Sequence, residues 1–290
     1  MQIISYTDLV TGTITKRPSK VCKSPYVADM VLTEKQEVLV HSPSLGCSGL
    51  TDSDSFVFVS PIHTQGTRCT HRIEFSKITE NWEGCTYNTA VCTNPSVAEK
   101  VIEHLLKNNL LKCLQTTGQE NNVKGQVTIG GSRFDFTGID SNGVEFIAEV
   151  KAVPSAGPHG PLDKKDKVKM MKEGTYYTKH PKEKIGFFPD GYIKPKDVGK
   201  KPQSERANKH ILELTNIKEN SNKRTIMFYV IQRDDVTSFD ISQLDPIYRE
   251  NVKKAQESGV ELYAIQMKWV YENGNMFGYF INEGKIILKD

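Results

Sequence analysis

Long hydrophobic runs are missing from this chain of 290 residues: no apolar stretch approaches the roughly 18 residues that a membrane-spanning helix needs. The opening MQIISYTDLV also lacks the basic start and apolar stretch of a secretory signal. Together these absences set the expectation of a cytoplasmic protein, or a nuclear one if the source is eukaryotic. Cysteine is scarce and badly spaced for metal or cross-links. The six residues Cys22, Cys47, Cys69, Cys85, Cys92 and Cys113 form no CxxC pair, which argues against both a zinc module and a disulfide scaffold. Excess charge of one sign is lacking too, with a net charge of +3. With 37% apolar and 25% charged residues the composition is that of a folded, water-facing protein, long enough for two domains. No internal repeat is present.

The balanced total hides a local bias. From Lys151 to His210 the chain carries 15 Lys and Arg against 7 Asp and Glu, so the remainder is mildly acidic. A basic block of this kind suits a polyanion, because neutralised phosphates release counterions. A solvated lysine-rich loop would carry the same charge.

Short strand-like runs, at 26–32, 37–40, 56–59 and 72–75, are separated by Pro, Gly, Ser and Asp clusters in the first 90 residues, as in a small barrel or sandwich. Helical spacing then sets in, with Val97, Val101, Ile102, Leu105 and Leu106 on one stripe and Ser96 or Asn94 as cap. The division falls near residue 90, giving units of 1–90 and 91–290. Residues 123–139 and 144–153 read as two alternating runs joined at Asn142-Gly143, a hairpin signal. A polar insertion follows at about 154–203, with one short helix near 164–172. A helix at 204–216, a strand at 225–231, a helix from Asp245-Pro246 to Gly259 and a strand at 260–267 complete an α+β or α/β pattern.

The two alternating runs hold the chemistry. Arg133, Asp135 and Thr137 share one strand face, with Phe134 and Phe136 on the other; Glu149 and Lys151 share a face of the partner run. Asp135, Glu149 and Lys151 would then converge. Adjacent carboxylates repel unless a cation lies between them, and a hard cation such as Mg²⁺ or Mn²⁺ would relieve the repulsion and take a phosphate oxygen. Lys151 would steady a water or the charge developing on phosphorus. Cross-strand ion pairs on an exposed hairpin are the plainer reading of the same residues. On the helix at 204–216, Arg206, Lys209 and Glu213 share a face apart from the buried Ala207, Ile211 and Leu214. Arg206 and Lys209 suit phosphate contact. His210 is either an acid or base near neutral pH or a hydrogen-bonded structural residue.

The spacing Asp-x13-Glu-x-Lys resembles the PD-(D/E)xK nuclease core. A wider set of motifs, GGSRFDF, AEVKAV, GFFPDG, ERANKHILEL and DPIYRENVKKAQESGVELYA in that order, with KSPYVADMV and HSPSLGC before them, resembles the sugar fermentation stimulation protein family from about Lys23 to Met267. The resemblance implies an N-terminal OB-like β-barrel followed by a PD-(D/E)xK nuclease-like α/β domain with a mixed sheet, and DNA binding. The family's acid after its Ser-Arg pair falls on Asp135, its Glu-Val-Lys on Glu149, Val150 and Lys151, and its Phe-Pro-Asp on Phe188, Pro189 and Asp190. Its Lys-His helix falls on Lys209, His210, Ile211, Glu213 and Leu214. The loop His41 to Gly46 departs from the family's usual Cys, Asn and Thr. Glu99 stands where Asn is common, and 154–184 has no counterpart in shorter members.

The expectation is therefore a DNA-binding protein with Mg²⁺- or Mn²⁺-dependent nuclease activity. Its alternative is a DNA-binding regulatory protein that keeps the fold without cleavage. Asp135 and Glu149, with Glu99, would hold metal, and Lys151 would assist the nucleophile. Lys23, Arg133, Arg206, Lys209 and His210 would meet single- or double-stranded DNA without strong sequence preference, and Asp190 and Glu213 would be accessory. A homodimer is compatible with this reading.

Overall fold

The computed structural model describes residues 1–288 apart from 46, 65, 117–121, 178, 192–196 and 198. Strands β1 (Gln2–Tyr6), β2 (Val10–Lys16), β3 (Val27–Leu32), β4 (Glu37–His41), β5 (Phe56–Pro61), β6 (His71–Trp82) and β7 (Cys85–Cys92) come first. Six of them form a sheet in the order β4-β3-β2-β5-β6-β7, which closes on itself where Val40 and His41 pair with His71 and Arg72. Alternation along these strands turns Ile14, Ala28, Met30, Val40, Val57 and Ile73 into the barrel interior.

After α1 (Ser96–Lys107) come β8 (Val123–Ile129), β9 (Ser132–Ile139), β10 (Glu145–Val153) and the two-residue β11 (Ala156–Gly157). Next are α2 (Lys164–Lys172), β12 (Lys184–Phe188), α3 (Glu205–Glu219), β13 (Arg224–Ile231), β14 (Val236–Ile241), α4 (Pro246–Glu257), β15 (Glu261–Glu272) and β16 (Asn275–Lys285). The larger sheet runs β1-β16-β15-β13-β10-β9-β8, with β10, β13 and β15 parallel and its other pairs antiparallel. One face carries α1 through Val97, Val101, Ile102, Leu105 and Leu106, and the other carries α3 and α4 through Ile211, Leu214, Tyr248 and Val252. An OB-like barrel followed by a nuclease-like α/β layer with a mixed sheet is the architecture expected above.

The hydrophobic core crosses the junction between the two parts. Phe58, Phe75 and Cys92 of the barrel strands join α1 and Trp269 of β15 in one buried cluster. The first strand also crosses: β1 pairs with β16 in the larger sheet, which a division near residue 90 does not express.

Two expectations are corrected. The run 123–139 is not one strand but the hairpin β8–β9, turned at Gly130 with φ of 60°. Gly130-Gly131 supplies the positive φ that such a turn requires. The insertion is also more structured than a polar loop: β12 pairs with β11 and, in parallel, with β14. Lys184 at its start is buried and pairs with Glu80 of β6 and, at 2.7 Å, with Asp235, which Arg233 also holds. A buried lysine needs such partners, so the insertion is tied to both parts of the molecule.

Close approach at the edge of the large sheet gives a test. A Cβ at Gly278 would meet Trp269 and Ile4 atoms at 2.5 and 2.6 Å. Gly278→Ala is expected to lower unfolding free energy by roughly 1 to 3 kcal/mol, the usual cost of overpacking, as read by denaturant titration; an unchanged midpoint would mean that β1 is not held against the sheet there.

Candidate active site

Parallel pairing of β10 with β13 fixes Glu149 and Lys151 two residues apart on the sheet face that α3 covers. On β9, regular pairing with β10 extends only from Ile139 to Phe136. Beyond it the strands separate, and the Asp135 carboxylate takes the ladder's place, its Oδ2 accepting the Val150 N–H at 2.8 Å. The expected common face for Phe134 and Phe136 is lost with the ladder: Phe134 joins the α3 side and Phe136 the α1 side.

Asp135 (4% exposed) and Glu149 (1% exposed) thus meet in a cavity of about 270 Å³, lined also by Glu99, Lys151, Ser155, Asp190 and Arg206. Lys151 Nζ donates to Glu149 Oε1 at 2.5 Å, and His210 Nδ1 hydrogen-bonds the same oxygen. Lys151 and His210 are themselves 3.3 Å apart. The second oxygen, Glu149 Oε2, is buried and has no hydrogen-bond partner. Burial raises the Glu149 carboxyl, but the His210 hydrogen bond and the Lys151 ammonium outweigh it and hold the carboxylate below its usual range. Asp135 goes the other way: burial first and the Glu149 charge second push it up to about 7. Glu99, half-buried on α1, is raised by burial and by Glu149.

The other expected residues take defined places. Arg133, Arg206 and Lys209 line an open groove with Gly131, Ser132, Glu205 and His210, and Arg206 borders the cavity as well. Lys209 Nζ donates to the Gly131 carbonyl at 2.6 Å and stands 3.7 Å from Glu213. The Ser132 hydroxyl in this groove is buried without a partner. His210 is 4% exposed, so its ring serves the Glu149 carboxylate and presents little surface to the groove. Asp190 Oδ2 accepts from the Ser48 N–H at 2.7 Å, the Ser48 hydroxyl at 2.8 Å and the Ser155 hydroxyl at 2.6 Å, fastening a barrel loop to the cavity wall. Lys23 is exposed on the barrel and does not line the cavity or the groove. No local sequence pattern singles out Gln126, Ser48 or Ser155. Gln126 would have emerged from the Gly130-Gly131 turn, since counting back from it sets Gln126 opposite Asp135.

Among the described residues, no group of three or more His, Cys, Asp and Glu side chains could hold a metal ion unaided. A cation here would rest on Asp135 and Glu149 and complete its shell with other oxygens.

The raised Asp135 pKa has a direction in pH. Unfolded, an Asp titrates near 4; folded, this one keeps its proton to about 7. Its contribution to stability is full below about pH 4 and falls as pH rises to about 7. In chelator, Asp135→Asn is expected to become progressively more stable than the parent from pH 4 to 7, levelling off above. Parallel melting curves across that range would show that Asp135 is not in the environment described.

Three comparisons bear on this arrangement. The model for the sugar fermentation stimulation protein RE domain matches residues 179–273. A sugar fermentation stimulation protein homolog of Bartonella tribocorum is 26% identical over 243 residues, 83% of each chain. One of Clostridium perfringens strain 13 is 27% identical over 242 residues, 82% of this chain and 84% of its own. In fold, the chain is similar to Pyrococcus furiosus SfsA, solved in complex with Ca²⁺, with a TM-score of 0.67 at 16% identity, covering 98% of this chain and 97% of that one. No helix among the described residues is long and apolar enough to cross a membrane. The domain match, the near full-length relatives and the shared fold agree in what this chain is similar to: the sugar fermentation stimulation protein family.

Proposed function

We propose that this chain is a divalent-cation-dependent phosphodiesterase acting on DNA, single- or double-stranded. The observation that carries the reading is Glu149 Oε2, a buried carboxylate oxygen without a partner on the wall shared with Asp135. An ionised oxygen withdrawn from water is costly unless a cation or donor meets it. Mg²⁺ or Mn²⁺ fits, because such ions take oxygen ligands and leave positions for water and phosphate. The Pyrococcus relative was solved with Ca²⁺, another hard cation that prefers oxygen. When bound, the ion would polarise a phosphoryl oxygen and make a bound water more acidic.

The chain's own residues divide the rest of the work. Asp135 and Glu149 would hold the ion, with Glu99 at the edge of the cavity. His210 keeps the Glu149 carboxylate ionised and oriented. Lys151 borders both Glu149 and the cavity, placed to offset charge that grows on phosphate oxygens in the transition state. Arg133, Arg206 and Lys209 would grip the backbone along the groove, where the unpartnered Ser132 hydroxyl can donate to a phosphate oxygen. Phosphate contacts position a strand without reading its sequence.

The second reading, DNA binding without cleavage, is favoured by one observation: the described residues do not gather three metal-binding side chains. Cleavage of labelled single- and double-stranded DNA in Mg²⁺ or Mn²⁺ separates the two. Asp135→Ala and Glu149→Ala should abolish cleavage and leave DNA affinity in chelator unchanged or tighter, since each removes a charge that repels phosphate. Lys151→Met should lower the rate roughly 10² to 10³-fold with a much smaller loss of binding. Binding without cleavage in any metal would establish the second reading.

Salt dependence tests the groove. Replacing both Arg133 and Arg206 by Ala should flatten the slope of log affinity against log salt by about 1.4 on single strands and about 1.8 on duplex. An unchanged slope would remove the groove from the DNA path.

A further inference from the structure

Gln126 stands directly opposite Asp135, because the flanking pairs of β8 and β9 are Gly125 with Phe136 and Val127 with Phe134. Residues opposite one another in an antiparallel pair share a face. Its φ of 56° lies in the left-handed region, which a residue with a side chain adopts only where its surroundings hold it. What holds it is visible: the side-chain amide donates to Glu99 Oε2 at 2.8 Å and to Asp135 Oδ1 at 3.3 Å. One NH₂ group thus spans two carboxylates, one on α1 and one on β9. Two N–H dipoles aimed at two carboxylates do in part what a cation does, offsetting the repulsion that brings like charges apart.

The same amide carries an oxygen. Gln126 is exposed at the rim, and its terminal torsion has two broad states that exchange the N–H donors for the carbonyl. Hard divalent ions accept Gln carbonyl oxygen along with carboxylate. We infer that Gln126 is a stand-in for the cation and then one of its ligands. In the metal-free protein its N–H groups brace Glu99 against Asp135; when an ion settles on Asp135 and Glu149, the amide turns its oxygen inward and completes a site that the carboxylates alone do not fill. This inference rests on the metal-dependent reading above and adds a residue that sets the affinity. It also accounts for the shortage of acidic ligands, since the missing oxygen comes from a neutral side chain.

Calorimetric titration of the full chain with Mn²⁺, without DNA, tests it. Gln126→Leu, which has neither donor nor oxygen, should bind Mn²⁺ about 10-fold more weakly than the parent, the scale on which supporting residues of metal sites act. Gln126→Glu, which keeps an oxygen in place and adds charge, should bind at least as tightly as the parent. In chelator both variants should melt below the parent, the Glu variant lower, because the brace is gone; circular dichroism at low temperature checks that both are folded. Tighter or unchanged Mn²⁺ binding by Gln126→Leu would overturn the inference, showing the amide to be a plug or a bystander. No saturable Mn²⁺ binding by the parent, or full binding by Asp135→Asn, would instead defeat the metal site itself and this inference with it.

Discussion

Two carboxylates taken out of water on neighbouring strands are the constraint around which this molecule is arranged. Asp135 and Glu149 are almost wholly buried, and each is dealt with differently. Glu149 is kept charged by Lys151 and His210, which share one of its oxygens. Asp135 is given a main-chain N–H and a glutamine amide but no ammonium, so burial and the neighbouring charge raise its pKa. The pair is held apart in protonation behaviour by environment alone, an asymmetry that commonly marks functional carboxylates.

The fold brings the supports from far along the chain. Parallel strands in the large sheet set Glu149 and Lys151 beside α3, which delivers His210 from one side and Arg206 toward the groove. Helix α1 delivers Glu99 from the opposite face. The barrel is not a separate appendage: its loop reaches the same cavity through Ser44 and Cys47, and Asp190 on the cavity wall fastens the neighbouring Ser48 together with Ser155. The shared core of Phe58, Phe75, Cys92 and Trp269 holds the two parts at one distance. Access to the cavity therefore depends on both.

Much of this was legible in the sequence. Helical periodicity located α1 and α3, and the Asp245 cap with Pro246 and Gly259 located α4, because local chemistry decides where that helix begins and ends. Asp135, Glu149 and Lys151 were legible as a spacing and as a family resemblance. What the sequence hid was tertiary. Alternation continues through the Gly130-Gly131 turn, which hides the turn and with it the place of Gln126 opposite Asp135. The splaying of β9 from β10 broke the alternation that grouped Phe134 with Phe136. Hydrogen bonds spanning long separations, such as Ser48 to Asp190, leave no local pattern at all. The insertion read as loop because β12 is short and its partner β14 lies far along the chain.

The central claim is that Asp135 and the free oxygen of Glu149 share a divalent cation. Crystals soaked in Mn²⁺ and measured at its absorption edge would locate the ion directly. The account predicts an anomalous peak at coordination distance, about 2.0 to 2.5 Å, from both Glu149 Oε2 and an Asp135 oxygen. No peak in the cavity, with Glu149 still held only by Lys151 and His210 at saturating Mn²⁺, would contradict it.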